Sequence, residues 1–220
     1  MASGIKEGDA VFTTNFSFFA TVEAISLVGA KPILVDIDEK TFNISPELLE
    51  EKIQKVIKES KLVPKCIIPV DLFGHLADYD SIIKIAQKYS LIILEDAAQS
   101  FGASYKNKKS CSFGDSSATS FYPAKPYGCY GDGGAIFSNN NDFSEVCKSI
   151  RVHGQGVDKY DNVRIGLNSR LDTIQAAVLL NKIRIFDQEL ILRNKVAMTY
   201  NDRLSKYIVT PNILDDYKSS

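Results

Sequence analysis

The segment Ser120-Phe-Tyr-Pro-Ala-Lys125-Pro-Tyr-Gly-Cys-Tyr-Gly-Asp-Gly-Gly134 sets one lysine between two prolines and runs it into four glycines. A lysine amine becomes a nucleophile when it is held in place and can shed its proton. Proline restricts φ and glycine admits positive φ, so the pattern predicts Lys125 in a fixed, unusual turn; a solvated loop lysine is the alternative. The glycines fit neither G-x-x-x-x-G-K-[ST] nor a strand-linked G-x-G-x-x-G, so a nucleotide-binding loop is only weakly indicated. A second cluster, Glu95-Asp96-Ala97-Ala98-Gln99-Ser100, directly follows the apolar run Leu91-Ile-Ile-Leu94. A carboxylate at a strand's carboxyl end, followed by small residues that let a ligand approach, reads as a site group; a helix N-cap is the equally open reading. The third cluster, Gly166-Leu-Asn168-Ser169-Arg170, offers Asn168 or Ser169 as a cap for the next helix and Arg170 as a partner for an anion.

Such groups need a frame to bring them together. Short β-branched apolar runs alternate with stretches of helical period, predicting strands at 10–13, 32–37, 66–70, 91–95, 118–121 and 135–137. Helices are predicted at 17–28, closed by Gly29, and at 46–59, with Ser45 as N-cap and Pro46 at the first helical position. Another runs from Asp78 or Asp80 to Tyr89, with Ile82, Ile83, Ile85 and Ala86 on one face. This order implies right-handed crossovers and an α/β fold, a mostly parallel sheet with helices on both faces. Catalytic groups then gather at the carboxyl ends of strands. Beyond Asn141 the pattern turns helical, at 142–152, 171–186 and 188–204, and His153 before Gly154 reads as a helix-end residue. Residues 211–220 are polar, with no cap or closing strand in view. The chain thus divides into an α/β unit over 1–140, a helical continuation over 141–210, and 211–220 as the start of a further domain.

Composition narrows the function classes. With 26 Lys+Arg against 27 Asp+Glu, the 220 residues exert no net pull on polyanions, which disfavours a nucleic-acid binder relying on basic surface. The content is 45% hydrophobic and 24% charged, as in a soluble domain able to bury a core. No apolar run approaches the ~20 residues of a membrane span, and the N-terminus lacks a signal-peptide pattern, so the expected location is cytoplasmic. Four cysteines, spaced without any C-x-x-C pair, and two histidines suggest neither a metal site nor a disulfide framework.

The ordered motifs Thr14-Asn-Phe-Ser-Phe18-Phe-Ala-Thr21, Glu95-Asp96-Ala-Ala-Gln99, Ser120-Phe-Tyr-Pro-Ala-Lys125, Gly131-Asp-Gly-Gly and Asn168-Ser-Arg resemble the DegT/DnrJ/EryC1/StrS family of sugar aminotransferases. These are pyridoxal 5'-phosphate (PLP) enzymes of fold type I. The resemblance covers nearly the whole chain, from Gly4 to about Pro211, and is greatest to members that aminate a UDP-linked 3-keto hexuronic acid for surface polysaccharide. It implies that Lys125 carries the cofactor as its Schiff-base lysine and that Asp96 faces the pyridine nitrogen. Gln99 then matches the amide on the ring's phenolic oxygen, Ser120 the hydroxyl on the phosphate, and Phe18 the aromatic ring stacked on the cofactor. Asn168 matches a residue that reaches the phosphate from a neighbouring subunit, which implies a homodimer. The implied reaction moves an amino group, with glutamate as donor, to a nucleotide-linked keto-sugar. Lys125 argues against the dehydratases of the family, which carry histidine there.

The same resemblance places the chain as the central part of the family's large domain, without the preceding Ser-Gly-Thr type phosphate loop and without the smaller C-terminal domain. Weak cofactor binding by the 220 residues is the expectation that follows. A non-catalytic remnant or partner subunit is the alternative reading.

Overall fold

A computed structural model describes residues 1–158, 160–211, 213 and 216–220. The α/β unit contains β1 (Asp9–Thr14), α1 (Phe19–Leu27), β2 (Lys31–Val35), α2 (Pro46–Glu59), β3 (Val63–Ile68), α3 (Tyr79–Tyr89) and β4 (Ile92–Asp96). A short pair, β5 (Ser104–Tyr105) and β6 (Lys108–Lys109), leads to β7 (Ser116–Ser120) and β8 (Gly134–Phe137). Then come α4 (Asn141–Arg151), α5 (Thr173–Lys182), α6 (Phe186–Leu204) and β9 (Tyr217–Lys218). The main sheet has the order β2-β1-β3-β4-β7-β8. Its neighbours run parallel except the antiparallel β7–β8 pair. The expected α/β class and mostly parallel sheet therefore stand.

Alternation along the strands builds two cores. Ala10, Phe12, Ile67 and Ile93 face one side, where Leu49, Ile53 and Val56 of α2 and Ile82, Ile85 and Ala86 of α3 cover them. Val11, Cys66 and Ile68 face the other side and meet Ile25 of α1. Successive strand side chains point to opposite faces, so a sheet with both faces covered needs apolar residues at consecutive positions. Local signals behave as the sequence indicates at three points. Ser45 Oγ accepts a hydrogen bond from the Leu48 N–H ahead of Pro46; Asp78, not Asp80, caps α3 through the Ser81 N–H; Gly29 takes φ +78° just past α1.

Four expectations are corrected. The helix expected over 171–186 is α5, which ends at Lys182. Residues 183–185 form tight turns, with Ile185 N–H bonded to Lys182 O and Phe186 N–H to Ile183 O. Apolar spacing persists through the corner because Phe186, first in α6, is buried against α5 and the Lys125 loop. Asp172, not Asn168 or Ser169, precedes α5. The 167–169 stretch is tied back to α4 instead, through Leu167 N–H to Ile150 O and Ser169 N–H to Arg151 O. No helix follows Asp96, so the N-cap reading of the 95–100 cluster falls away. Finally, the chain end does carry a closing strand. β9 pairs antiparallel with β5, and the Tyr217 ring stacks at 4.3 Å from Tyr105 and meets the tilted His75 ring at 4.6 Å. A two-residue strand held mainly by ring stacking leaves no periodicity for sequence to show.

Candidate active site

β1, β3, β4 and β7 run in one direction, so their carboxyl ends share one edge of the sheet. The chain leaves β1 for β2 on one side and returns to β3 on the other, which makes the β1/β3 crevice a topological switch point, the usual place for a ligand in such sheets. Five of the six residues singled out by sequence belong to this edge. Phe18 follows β1, Asp96 ends β4, Gln99 lies in the next turn, Ser120 ends β7, and Lys125 sits in the loop beyond it.

Each is held by identifiable bonds. Asp96 Oδ2 accepts from Thr21 Oγ at 2.7 Å and Oδ1 from the Ala98 N–H at 3.1 Å, so first-turn residues of α1 set the carboxylate's orientation. Gln99 Oε1 accepts from the Phe73 N–H at 3.0 Å, which leaves its amide NH₂ as the end free to donate to a ligand. Phe73 itself has φ 56°, and its ring meets those of Phe16 and Phe42 at 6.1 and 6.3 Å. Ser120 Oγ accepts from the Tyr122 N–H. Phe18, at the N-cap of α1, is 69% exposed. The buried Ser17 Oγ beside it has no hydrogen-bond partner among the described residues.

Lys125 is half-buried, and its amine forms no hydrogen bond or ion pair among the described residues. The loop around it is rigid for a different reason from the one the sequence suggests. Gly128, Gly131, Gly133 and Gly134 do not adopt positive φ. They are required by close approach: a Cβ on Gly128 would lie 2.6 Å from the carbonyl oxygens of Tyr122 and Pro123, and one on Gly134 2.7 Å from that of Thr119. The Cys129 N–H bonds to Phe121 O, Tyr127 Oη to Leu179 O, and Lys182 Nζ to Gly128 O. Phe101, Tyr127 and Phe186 pack their rings around this loop. We therefore expect Gly128→Ala to push the backbone on both sides of Lys125 apart and to cost roughly 1–3 kcal/mol of stability, measurable by urea unfolding.

Asn168 is not part of the strand-end group in this chain. It is exposed, bridges to Val152, and accepts from Arg170 Nε at 3.0 Å. A cavity of about 570 Å³ lies elsewhere, between α4 and the 152–164 segment, where Lys148, Gln155 and Arg164 are among its lining residues. Among the described residues no cluster could hold a metal ion, and no helix is long and apolar enough to cross a membrane.

Sequence reasoning missed Phe73 and Asp71, and gave no role of their own to Thr21 and Glu95, although both stand in the motifs it singles out. Thr21 could have been suspected as a polar residue on the first turn of a helix at a strand end. Phe73 acts through its backbone and leaves no compositional signal.

The donor set suits a planar, cationic heterocycle bearing a phosphate. Asp96 can still accept from a ring N–H, Gln99 can still donate to a ring oxygen, Ser120 is polar and accessible, and the Lys125 amine in the loop after β7 has no bond among the described residues. Comparison with known proteins agrees. Residues 1–216 match the DegT/DnrJ/EryC1/StrS aminotransferase family. The chain is 50% identical over 214 residues to the UDP-2-acetamido-2-deoxy-3-oxo-D-glucuronate aminotransferase of Pseudomonas aeruginosa, covering 97% of this chain and 57% of that protein. The crystal structure of a DegT DnrJ EryC1 StrS aminotransferase from Brucella abortus superposes with a TM-score of 0.97 at 50% identity, over 100% of this chain and 59% of that one. NtdA from Bacillus subtilis with bound cofactor PMP superposes with a TM-score of 0.87 at 31% identity, over 99% and 49% of the respective chains. The chain thus spans about half the length of the relatives it matches.

Proposed function

Since the chain belongs to the DegT/DnrJ/EryC1/StrS aminotransferase family, we propose that it holds PLP at the strand-end edge and transfers an amino group from glutamate to a nucleotide-linked keto-sugar, within the cytoplasm. The observation that carries this reading is the convergence of a Thr21-oriented Asp96, a donor-ready Gln99 and the braced Lys125 loop on one sheet edge. When bound, PLP supplies an electron-withdrawing ring that stabilises negative charge at the substrate carbon. Asp96 keeps the ring nitrogen protonated by placing a fixed negative charge against it. Gln99 would donate from Nε2 to the ring oxygen, since its Oε1 is already taken by the Phe73 N–H. Ser120 offers its hydroxyl to the phosphate, and Phe18 offers an exposed apolar face. Lys125 Nζ would anchor the cofactor and, once released by the donor's amine, would serve as the base that carries the donor's α-proton. Glutamate leaves as its oxo-acid, and the same amine moves the proton in the opposite direction once the sugar ketone has entered. A keto-sugar related to that of the Pseudomonas relative is the favoured acceptor. The test is borohydride reduction of the PLP-treated chain followed by peptide mapping: the cofactor is expected on Lys125, and labelling of another lysine would refute the assignment.

The working unit on this reading is a homodimer. α5 and α6 bury only Leu179 and Phe186, and they leave Ile174, Leu180 and the stripe Leu192, Val196, Tyr200 exposed. The stripe has i, i+4, i+8 spacing and so lies on one helix face. Contiguous apolar surface of this kind marks an interaction site. Asn168 then reaches the second site across the boundary. Sedimentation equilibrium is expected to show a dimer whose dissociation constant rises about 10-fold or more in Val196→Glu. A chain that stays monomeric at all concentrations contradicts the dimer.

A further inference from the structure

Two carboxyl groups lie fully buried behind the candidate site, Asp71 just past β3 and Glu95 in β4. No Lys, Arg or His side chain bonds to either among the described residues. Asp71 Oδ1 accepts from the Ala77 N–H at 3.1 Å and from Tyr79 Oη at 2.9 Å, while Oδ2 lies 2.8 Å from Ser100 Oγ. Glu95 Oε1 accepts from the Cys111 N–H at 2.7 Å and lies 3.3 Å from Ser110 Oγ; Oε2 accepts from the Phe113 N–H at 2.9 Å. The two serine hydroxyls are 2.7 Å apart. One chain therefore links the carboxyls through Ser100 and Ser110.

Two buried carboxylates without a cation are strongly disfavoured, so the pair should hold a proton. The donors around it say where. Both Glu95 oxygens serve backbone N–H groups that can only donate, and a proton on either oxygen would weaken it as their acceptor. Asp71 Oδ2 faces only a hydroxyl, which can turn and accept. We propose that Asp71 is protonated, donating from Oδ2 through Ser100 and Ser110 to a charged Glu95, and that this chain is a positioning device for the turn bearing Asp96 and Gln99. Glu95 and Ser100 flank that turn, and the Asp71 N–H bonds to Asp96 O at 3.1 Å. The role of the turn rests on the cofactor reading above, whereas the proton on Asp71 can be tested without any cofactor.

The electrostatics agree in direction. Burial raises both carboxyls; the Phe113 and Cys111 N–H groups offset this at Glu95, whereas burial and then the Glu95 charge push Asp71 well above the usual carboxylate range. The groups facing the pair are Tyr79 from α3, Cys111 from the turn after β6 and Asp96 at the end of β4; burial and these acidic neighbours raise both Tyr79 and Cys111, the latter to about 12. A carboxyl whose folded pKa lies above its unfolded value makes the native state bind an extra proton. Its contribution to stability is therefore lost as pH rises from about 4 toward the folded value. Asp71→Asn has no such proton, so its Tm should gain on that of the wild type over the same rise.

In the cofactor-free 220-residue chain at neutral pH, infrared spectra are expected to show the C=O stretch of an un-ionised carboxylic acid, absent from Asp71→Asn. Asparagine offers Nδ2 to Ser100 and Oδ1 to Ala77 and Tyr79, so Asp71→Asn should melt within about 2 °C of the wild type or above it. Glu95→Gln has to turn its NH₂ toward a backbone N–H and should melt about 5 °C lower or more. Hydrogen exchange at the amides of Asp96 and Ala98 should be unchanged in Asp71→Asn and about 10-fold faster in Asp71→Ala. Persistence of the acid band in Asp71→Asn, or destabilisation of that variant as severe as that of Asp71→Ala, overturns the proton assignment. Unchanged exchange in Asp71→Ala overturns the positioning role. Should Glu95→Gln not fold, the Asp71→Asn band and melting still decide. Failure of borohydride to fix PLP on Lys125 even at high PLP, with these results intact, counts against the cofactor reading alone.

Discussion

Lys125→Ala is expected to abolish covalent retention of PLP and to lower transamination at least ~10³-fold, because one amine serves both as cofactor anchor and as proton carrier. Its fold should survive. The Lys125 amine forms no ion pair or hydrogen bond among the described residues, and removing a half-exposed side chain of that kind changes stability by about 0.5 kcal/mol or less. The loop is braced by Tyr127, Cys129 and Lys182, which the substitution leaves in place. Equal melting temperatures with loss of the yellow colour on gel filtration are therefore the predicted pair of results, and added methylamine should restore part of the proton transfer. Turnover near the wild-type level would remove Lys125 from the reaction.

Asp96→Asn should separate binding from chemistry. Lys125 still captures the cofactor, but a neutral amide cannot keep the ring nitrogen protonated. Removing a charge aimed at the reacting centre typically costs about 10²–10³-fold in rate. Single-turnover reaction with glutamate, followed by absorbance, measures this step. Thr21→Val tests the same interaction more gently, because it takes away only the hydroxyl 2.7 Å from Asp96 Oδ2. It should lower the rate about 10-fold. If Asp96→Asn runs at full speed, the carboxylate has no part in activating the ring.

What sequence could show was set by short-range pattern. Consecutive apolar positions such as Ala10-Val-Phe12 and Cys66-Ile-Ile68 face both sides of a covered sheet, and the Ser45-Pro46 cap needs only its own turn, so strand positions and the start of α2 are readable. The site residues were readable as types at strand ends. The 171–186 helix and the closing strand β9 were misread because their limits depend on Phe186 and Tyr217 packing against residues far away in the chain. The glycines after Lys125 were identified correctly as structural but for the wrong cause. Their backbones touch neighbouring carbonyls, a fact of packing that no local φ preference contains.

The sequence by itself determined the alternation that makes a mostly parallel sheet, and it placed Asp96 and Ser120 at the ends of two successive strands and Lys125 in the loop after the second. Tertiary structure alone decided which atoms remain available there. Thr21 turns the Asp96 carboxylate, the Phe73 amide occupies Gln99 Oε1 and leaves its NH₂ to donate, and two serines join Asp71 to Glu95 beneath them. Hydrogen bonds are directional over about 3 Å, and these partners lie on segments remote from one another in the chain. Their alignment exists only once the sheet has closed the distances.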